Sequence, residues 1–204
     1  QIVGRSRLVY PNLRWQLLES RGSSMYHVFG RQQADLAVGD YVESDAPAFL
    51  RQAEENGLAV ETLCRDVCKV AVSHRNQLAH GENIPQEAAS ALPLAYYSGG
   101  DDVADPHFTR FFNDRLSIEL HSFEKIVEAA VNNTAVSPLA VRLACRGLLS
   151  HYDRDAVSFL TVEGFSLPVT HCLLWKKDAA MTPELEKAIH IVKKAYGELE
   201  EIKI

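Results

Sequence analysis

The chain has 204 residues, 47% hydrophobic and 24% charged, the balance of an ordinary globular protein. Lys and Arg number 21 against 27 Asp and Glu, a net charge of -6, and no basic run stands out, which argues against direct nucleic-acid contact by these residues. No apolar run approaches the roughly 18 residues of a membrane helix.

Gln1 to Val9 reads as the back half of a helix, stopped by Pro11. No strand precedes it, so an upstream strand is expected outside this sequence. Leu13, Trp15, Leu17 and Leu18 form an apolar run that predicts a strand, broken by Arg21-Gly22-Ser23-Ser24. Met25, Val28 and Phe29 then share one helical face. Ala34 to Gly39 predicts a short strand. Strand, helix and strand make a βαβ unit, normally right-handed with parallel strands. In that geometry Ser23 and Ser24 follow a strand and open a helix, where open α/β sheets bind small ligands.

Asp40 to Asn56 is polar and predicted irregular, with Pro47 inside it. Leu58–Leu63 and Val67–Val72 are the next two strands, the second buried on both faces. His74 to Gly81 is a loop, Pro85 to Ala91 a short helix, and Leu92 to Tyr97 a strand entering Ser98-Gly99-Gly100. Asp105 to Arg115 predicts a helix burying Phe108, Phe111 and Phe112. Leu116 to His121 alternates as a strand, and Ser122 caps a helix with Phe123, Ile126, Val127, Ala130 and Val131 on one face. Asn132-Asn133 ends that helix, because Asn tolerates the left-handed conformation. Thr134 to Ser137 is a short strand, and Pro138 begins a helical turn through about Gly147. Ala156–Val162 and Val169–Trp175 are the last strands. Thr182-Pro183-Glu184 starts a final helix burying Leu185, Ala188, Ile189, Val192, Tyr196, Leu199 and Ile202.

Strands alternating with helices, twice over, predict an α/β protein of two lobes. The first lobe takes residues 1–85 and 167–204, the second 86–166. Two crossovers, near Gln86–Pro93 and Gly164–Pro168, suit a hinged cleft.

Several stretches carry a resemblance in order and spacing: Tyr10-Pro11-Asn12-Leu13, Ala34 to Val38, Val70 to His74 with Leu78-Ala79, Ser122 to Ile126 through Val136-Ser137-Pro138, and Leu173 to Asp178 with Met181-Thr182-Pro183. Over essentially its whole length the chain resembles the effector-binding (regulatory) domain of LysR-type transcriptional regulators. The resemblance implies a periplasmic-binding-protein-like (type 2) fold, with two α/β lobes joined by two crossover strands and a cleft between them. It implies a cytoplasmic ligand-sensing and oligomerisation module, not an enzyme. A small-molecule effector would control DNA binding through a winged helix-turn-helix absent from this sequence. It implies a homodimer or homotetramer through this domain, with the helix ending near Val9 and Trp15 fitting such a face. It implies no cofactor, no metal and no membrane partner. The family's first strand is missing here, and Asn132-Asn133-Thr134-Ala135 replaces a glycine-rich turn.

The resemblance places the effector at strand carboxyl ends. The candidates are Ser23 and Ser24, then Gly39, Asp40 and Tyr41, and from the second lobe Tyr97, Ser98, Gly99, Gly100, His121, Ser122, Thr134 and Ala135. Backbone N–H groups of Ser98–Gly100 and the hydroxyls suit a carboxylate, whereas Asp40 favours an amine or hydroxyls. Against each stands a plainer role, as cap, turn or surface residue.

Two other functions use the same scaffold. A periplasmic-type solute-binding protein conflicts with four thiols, Cys64, Cys68, Cys145 and Cys172, that show no paired spacing. An enzyme needs a paired acid and base or a nucleophile, and none is evident. Cys64 and Cys68 could form a redox switch, with buried thiols the plainer reading. His151 to Asp155 as a hard-metal site, and Cys68, His74 and His80 as a zinc site, lack a closing ligand set. Gly164 to Pro168 lacks the last glycine of a nucleophile elbow.

Overall fold

The computed structural model describes residues 2–16, 18, 24–31, 33–81, 83–97, 112, 117–145, 149, 151–153 and 155–199. The chain divides into two compact units, Gln1–Arg65 with Val169–Lys203, and Asp66–Pro168 with Ile204.

The first unit opens on α1 (Ile2–Val9). Ser6 is fully buried; its Oγ donates to the Val3 carbonyl at 2.8 Å and accepts from Trp15 Nε1 at 2.7 Å. That pair ties the following segment to α1, and residues 12–16 form no strand. The strand expected over Leu13–Leu18 is therefore corrected. Pro11 lacks an N–H, and among the described residues no strand pairs with 12–16 to supply a ladder. Leu17 lies outside the described residues.

Helix α2 (Ser24–Gly30) buries Tyr26 and Phe29. Strand β1 (Leu36–Val42) then pairs antiparallel with β8 (Leu167–Lys176), from Leu36 opposite Trp175 to Val42 opposite Val169. The expected parallel βαβ opening is thus not formed. Its helix and second strand exist, but the partner of β1 comes from the far end of the chain.

Residues 43–56, expected irregular, fold as a 3-10 turn and then α3 (Ala46–Glu55). Pro47 sits in the first turn, where a missing N–H costs nothing. Ala46, Phe49 and Ala53 recur at helical spacing; Ala53 is fully buried and Phe49 stacks on Tyr41 at 4.7 Å. Gly57 turns the chain with φ +67.

The two strands expected over 58–72 are one, the 16-residue β2 (Leu58–Ser73). It leaves the first unit at Arg65 and enters the second at Asp66. β8 crosses likewise after Pro168. One core of the first unit gathers Tyr26, Phe29, Ala53, Leu58, Cys172 and Leu174. Alternation along β8 puts His171 and Leu173 on the opposite face, and the His171 ring lies 5.7 Å from Tyr196 of α7 (Pro183–Gly197). Thr182 caps that helix as expected, its Oγ1 accepting from Leu185 N at 3.2 Å. Leu185, Ala188, Val192, Tyr196 and Leu199 are buried, with Ile191 rather than Ile189 completing the face. Ile202 lies outside the described residues.

In the second unit β2 pairs antiparallel with β6 (Ser137–Ala140) and with β7 (Val157–Val162), and β7 pairs in parallel with the short β3 (Asn83–Ile84). A 3-10 turn (Gln77–His80) and α4 (Gln86–Ser90) flank β3. A separate parallel pair, β4 (Ala95–Tyr97) and β5 (Ile118–Leu120), leads into α5 (Phe123–Val131). α5 buries Ile126, Val127 and Ala130, three of the residues expected on its inner face. Asn133 adopts φ 59, the left-handed ending expected of it. Pro138 is corrected: it lies in β6 opposite Val70, not at a helix start. β6 pairs only with β2 among the described strands, so the missing proline N–H breaks no second ladder. A short α6 (Val141–Leu143) follows. Of the helix expected over Asp105–Arg115 only Phe112 is described, and it is buried.

Candidate functional site

In the second unit β4 and β5 share a direction, with Tyr97 beside Leu120. Their carboxyl ends therefore reach one edge. His121 and Ser122 leave β5 there, and Ser122 is the N-cap of α5. The Tyr97 and Phe123 rings stack at 4.7 Å and 8°. Tyr97 is buried, His121 exposed and Ser122 half-buried. The Ser122 hydroxyl makes no cap hydrogen bond, contrary to expectation, while its carbonyl accepts from Ile126 N at 3.2 Å. A phenol, an imidazole, a hydroxyl and the first turn of a nine-residue helix thus meet at one edge.

A third parallel path lies alongside. Leu94 bridges to Val136; Ala95 N donates to Val136 O and Val136 N to Pro93 O, each at 2.8 Å. Thr134 and Ala135 precede Val136 and stand at the amino end of this layer, away from Tyr97 and His121. Thr134 is exposed and Ala135 buried. The residues on the carboxyl side are Ser137 and Pro138, with Ser137 fully buried and its Oγ donating to Ile126 O at 3.4 Å. Ser98, Gly99 and Gly100 lie outside the described residues.

In the first unit Ser23 lies outside the described residues. Ser24 begins α2, and no strand precedes it among them. Gly39, Asp40 and Tyr41 sit inside β1 rather than after it, opposite Cys172, His171 and Thr170. Asp40 is exposed and Tyr41 half-buried against Phe49. The structure thus brings Tyr97, His121 and Ser122 together in one unit, and Gly39 to Tyr41 along one strand in the other.

Sequence reasoning missed the burial of His171, while Tyr196 and Cys64 are buried as expected. His171, Cys64 and Tyr196 are nearly or fully inaccessible. Burial, then the charges of Cys64, Asp40 and Cys172, pushes the Tyr196 phenol up. Burial, then Asp40, pushes the Cys172 thiol up to about 12, although the Gly39 backbone hydrogen bond opposes this. Burial, then Cys172, also raises Tyr26, whose hydroxyl is buried without a hydrogen-bond partner. Such thiols and phenols stay neutral and serve packing, not nucleophilic chemistry. None of the four cysteines is in a disulfide. Cys64 and Cys68 lie four apart in one strand, so their Cα atoms stand about 13 Å from each other, beyond disulfide reach. Among the described residues no three His, Cys, Asp or Glu side chains could hold a metal ion. None of their helices is long and apolar enough to cross a membrane.

The family model for the LysR substrate binding domain matches residues 1–197. This chain belongs to the LysR substrate-binding domain family. The fold agrees with solved LysR regulatory domains. The CcmR regulatory domain of Synechocystis PCC6803, in complex with 2-PG, gives a TM-score of 0.68 at 16% identity, covering 96% of this chain and 89% of that one. The MetR regulatory domain from N. meningitidis gives 0.66 at 12%, covering 97% and 86%. The QuiR effector-binding domain in complex with shikimate gives 0.61 at 15%, covering 97% and 89%. No curated protein matches the chain by sequence. LysR regulatory domains have the periplasmic-binding-protein-like type 2 fold and belong to transcription regulators rather than enzymes.

Proposed function

We propose that this LysR domain senses a small polar metabolite and transmits its binding to a DNA-binding domain of the whole regulator. The observation that carries the reading is the family match over residues 1–197. The CcmR complex with 2-PG and the QuiR complex with shikimate support an oxygen-rich effector here. In the second unit the proposed contacts are Tyr97, Ser98, Gly99, Gly100, His121 and Ser122. In the first they are Ser23, Ser24, Gly39, Asp40 and Tyr41. Thr134 and Ala135, at the other end of their strand layer, are weaker candidates than Ser137. The two-lobe assignment belongs to the same proposal; the compact units meet along the chain at Arg65/Asp66 in β2 and Pro168/Val169 in β8, the first earlier than the expected Gln86–Pro93.

The reading also makes the domain a cytoplasmic homodimer or homotetramer. What supports association is apolar exposure at the end of α1, with Leu8 and Val9 86% and 64% exposed, and Val38 40% exposed on β1. The whole regulator tests the function. A metabolite that stabilises this domain is expected to change occupancy of operator DNA, and His121→Ala with Ser122→Ala is expected to weaken its effect at least tenfold. DNA occupancy indifferent to every stabilising metabolite contradicts the sensor role.

A further inference from the structure

Asp66 is the first residue of the second unit and, although charged, is 4% exposed. Its carboxylate accepts three backbone N–H groups. Val67 N donates to Oδ1 at 2.8 Å, Arg142 N to Oδ1 at 3.1 Å and Leu143 N to Oδ2 at 3.1 Å. Two of these donors come from α6, 76 and 77 residues further along the chain. Val141–Leu143 opens a helical stretch that continues in π form at Ala144 and Cys145, and its first N–H groups have no partner within the helix. Its N-cap, Ala140, supplies no side-chain acceptor. Asp66 supplies the acceptor from a neighbouring strand.

The position has a consequence. Cys68 pairs with Ala140 and Ala71 with Ser137, so the β2–β6 ladder begins two residues beyond Asp66 and runs out of β6 directly into α6. Ser137, at the other end of β6, is the buried hydroxyl that touches the carbonyl of Ile126 in α5. We propose that Asp66 is a positioning residue: it latches the 141–143 turn onto β2 and thereby fixes β6 beside the start of α5.

The latch holds particular amides, and its loss is read amide by amide. By hydrogen exchange on the intact chain, Asp66→Ala is expected to speed exchange of the Arg142 and Leu143 amides about 10- to 100-fold, as for lost charge-assisted hydrogen bonds. Amides of Val157–Val162 and of the first unit are expected to stay at the wild-type rate. Asp66→Asn keeps one acceptor oxygen but turns a donor toward one of the three N–H groups. It is expected to speed Leu143 more than Val67, and it serves should the alanine variant not fold. Unchanged protection of Arg142 and Leu143 in both variants overturns the proposal. So does a uniform rise across the second unit, which would make Asp66 a support of the whole fold rather than of this turn.

Discussion

Phe29→Ala is expected to destabilise the first unit by about 3–5 kcal/mol. Phe29 is 2% exposed and packs among Tyr26, Ala53, Leu58, Cys172 and Leu174. Removing the ring loses its transfer free energy and leaves a cavity in a layer where a seven-residue helix has little stability of its own. Phe29→Leu keeps most of the volume and is expected to cost under about 1.5 kcal/mol. Urea unfolding followed by circular dichroism separates the two, because the midpoint shifts while the slope stays constant. A wild-type midpoint for Phe29→Ala would show that α2 is not docked on β8.

The second large effect is alkaline instability. The Cys172 thiol goes from 9.0 to about 12 on folding, chiefly because burial disfavours its thiolate. In the pH window between, the unfolded chain loses the proton and the folded chain keeps it. The folded state then binds more protons, so stability is complete below about pH 9 and falls as pH rises, by about 1.4 kcal/mol per pH unit from this group. Tyr26 and Tyr196, both raised mainly by burial, extend the loss above about pH 10. The urea midpoint is expected to drop steeply between about pH 9 and pH 11, and Cys172→Ala to flatten the drop at some cost near neutrality. A flat midpoint over that range would mean that the thiol is solvated in the folded state.

The final helix was legible in the sequence because its signals are local. Thr182, Pro183 and the recurrence of Leu185, Ala188, Val192 and Tyr196 lie within one stretch. Asn133 was legible for the same reason, since a left-handed ending is a property of a single residue. Pairing was not legible. Leu13 to Leu18 is as apolar as many strands, but a strand exists only against a partner, and Trp15 binds Ser6 instead. β1 and β8 were both found as strands, yet not their antiparallel pairing, because that register joins opposite ends of the chain. Pro47 and Pro138 misled in opposite directions. One sits in a helix's first turn and the other in a strand with one neighbour, and each place tolerates a missing N–H. Strand direction also decided the site. Tyr97, His121 and Ser122 converge because β4 and β5 are parallel, and the same rule carries Thr134 and Ala135 to the other end. Asp66 was invisible as a functional position, since three backbone N–H groups donate to it and no residue pattern encodes them.

The most direct test is a thermal-shift titration of this domain against a panel of small carboxylates, phosphorylated acids and polyols. At least one compound is expected to raise Tm in a dose-dependent way, through about 2.7 kcal/mol of stabilisation at about a hundred times its Kd, and Ser122→Ala with His121→Ala is expected to cut that stabilisation at least by half at the same concentration without lowering the Tm of the free domain. A compound that shifts the double variant as much as the wild type would contradict the site, and a panel in which nothing shifts Tm would contradict effector sensing by this chain.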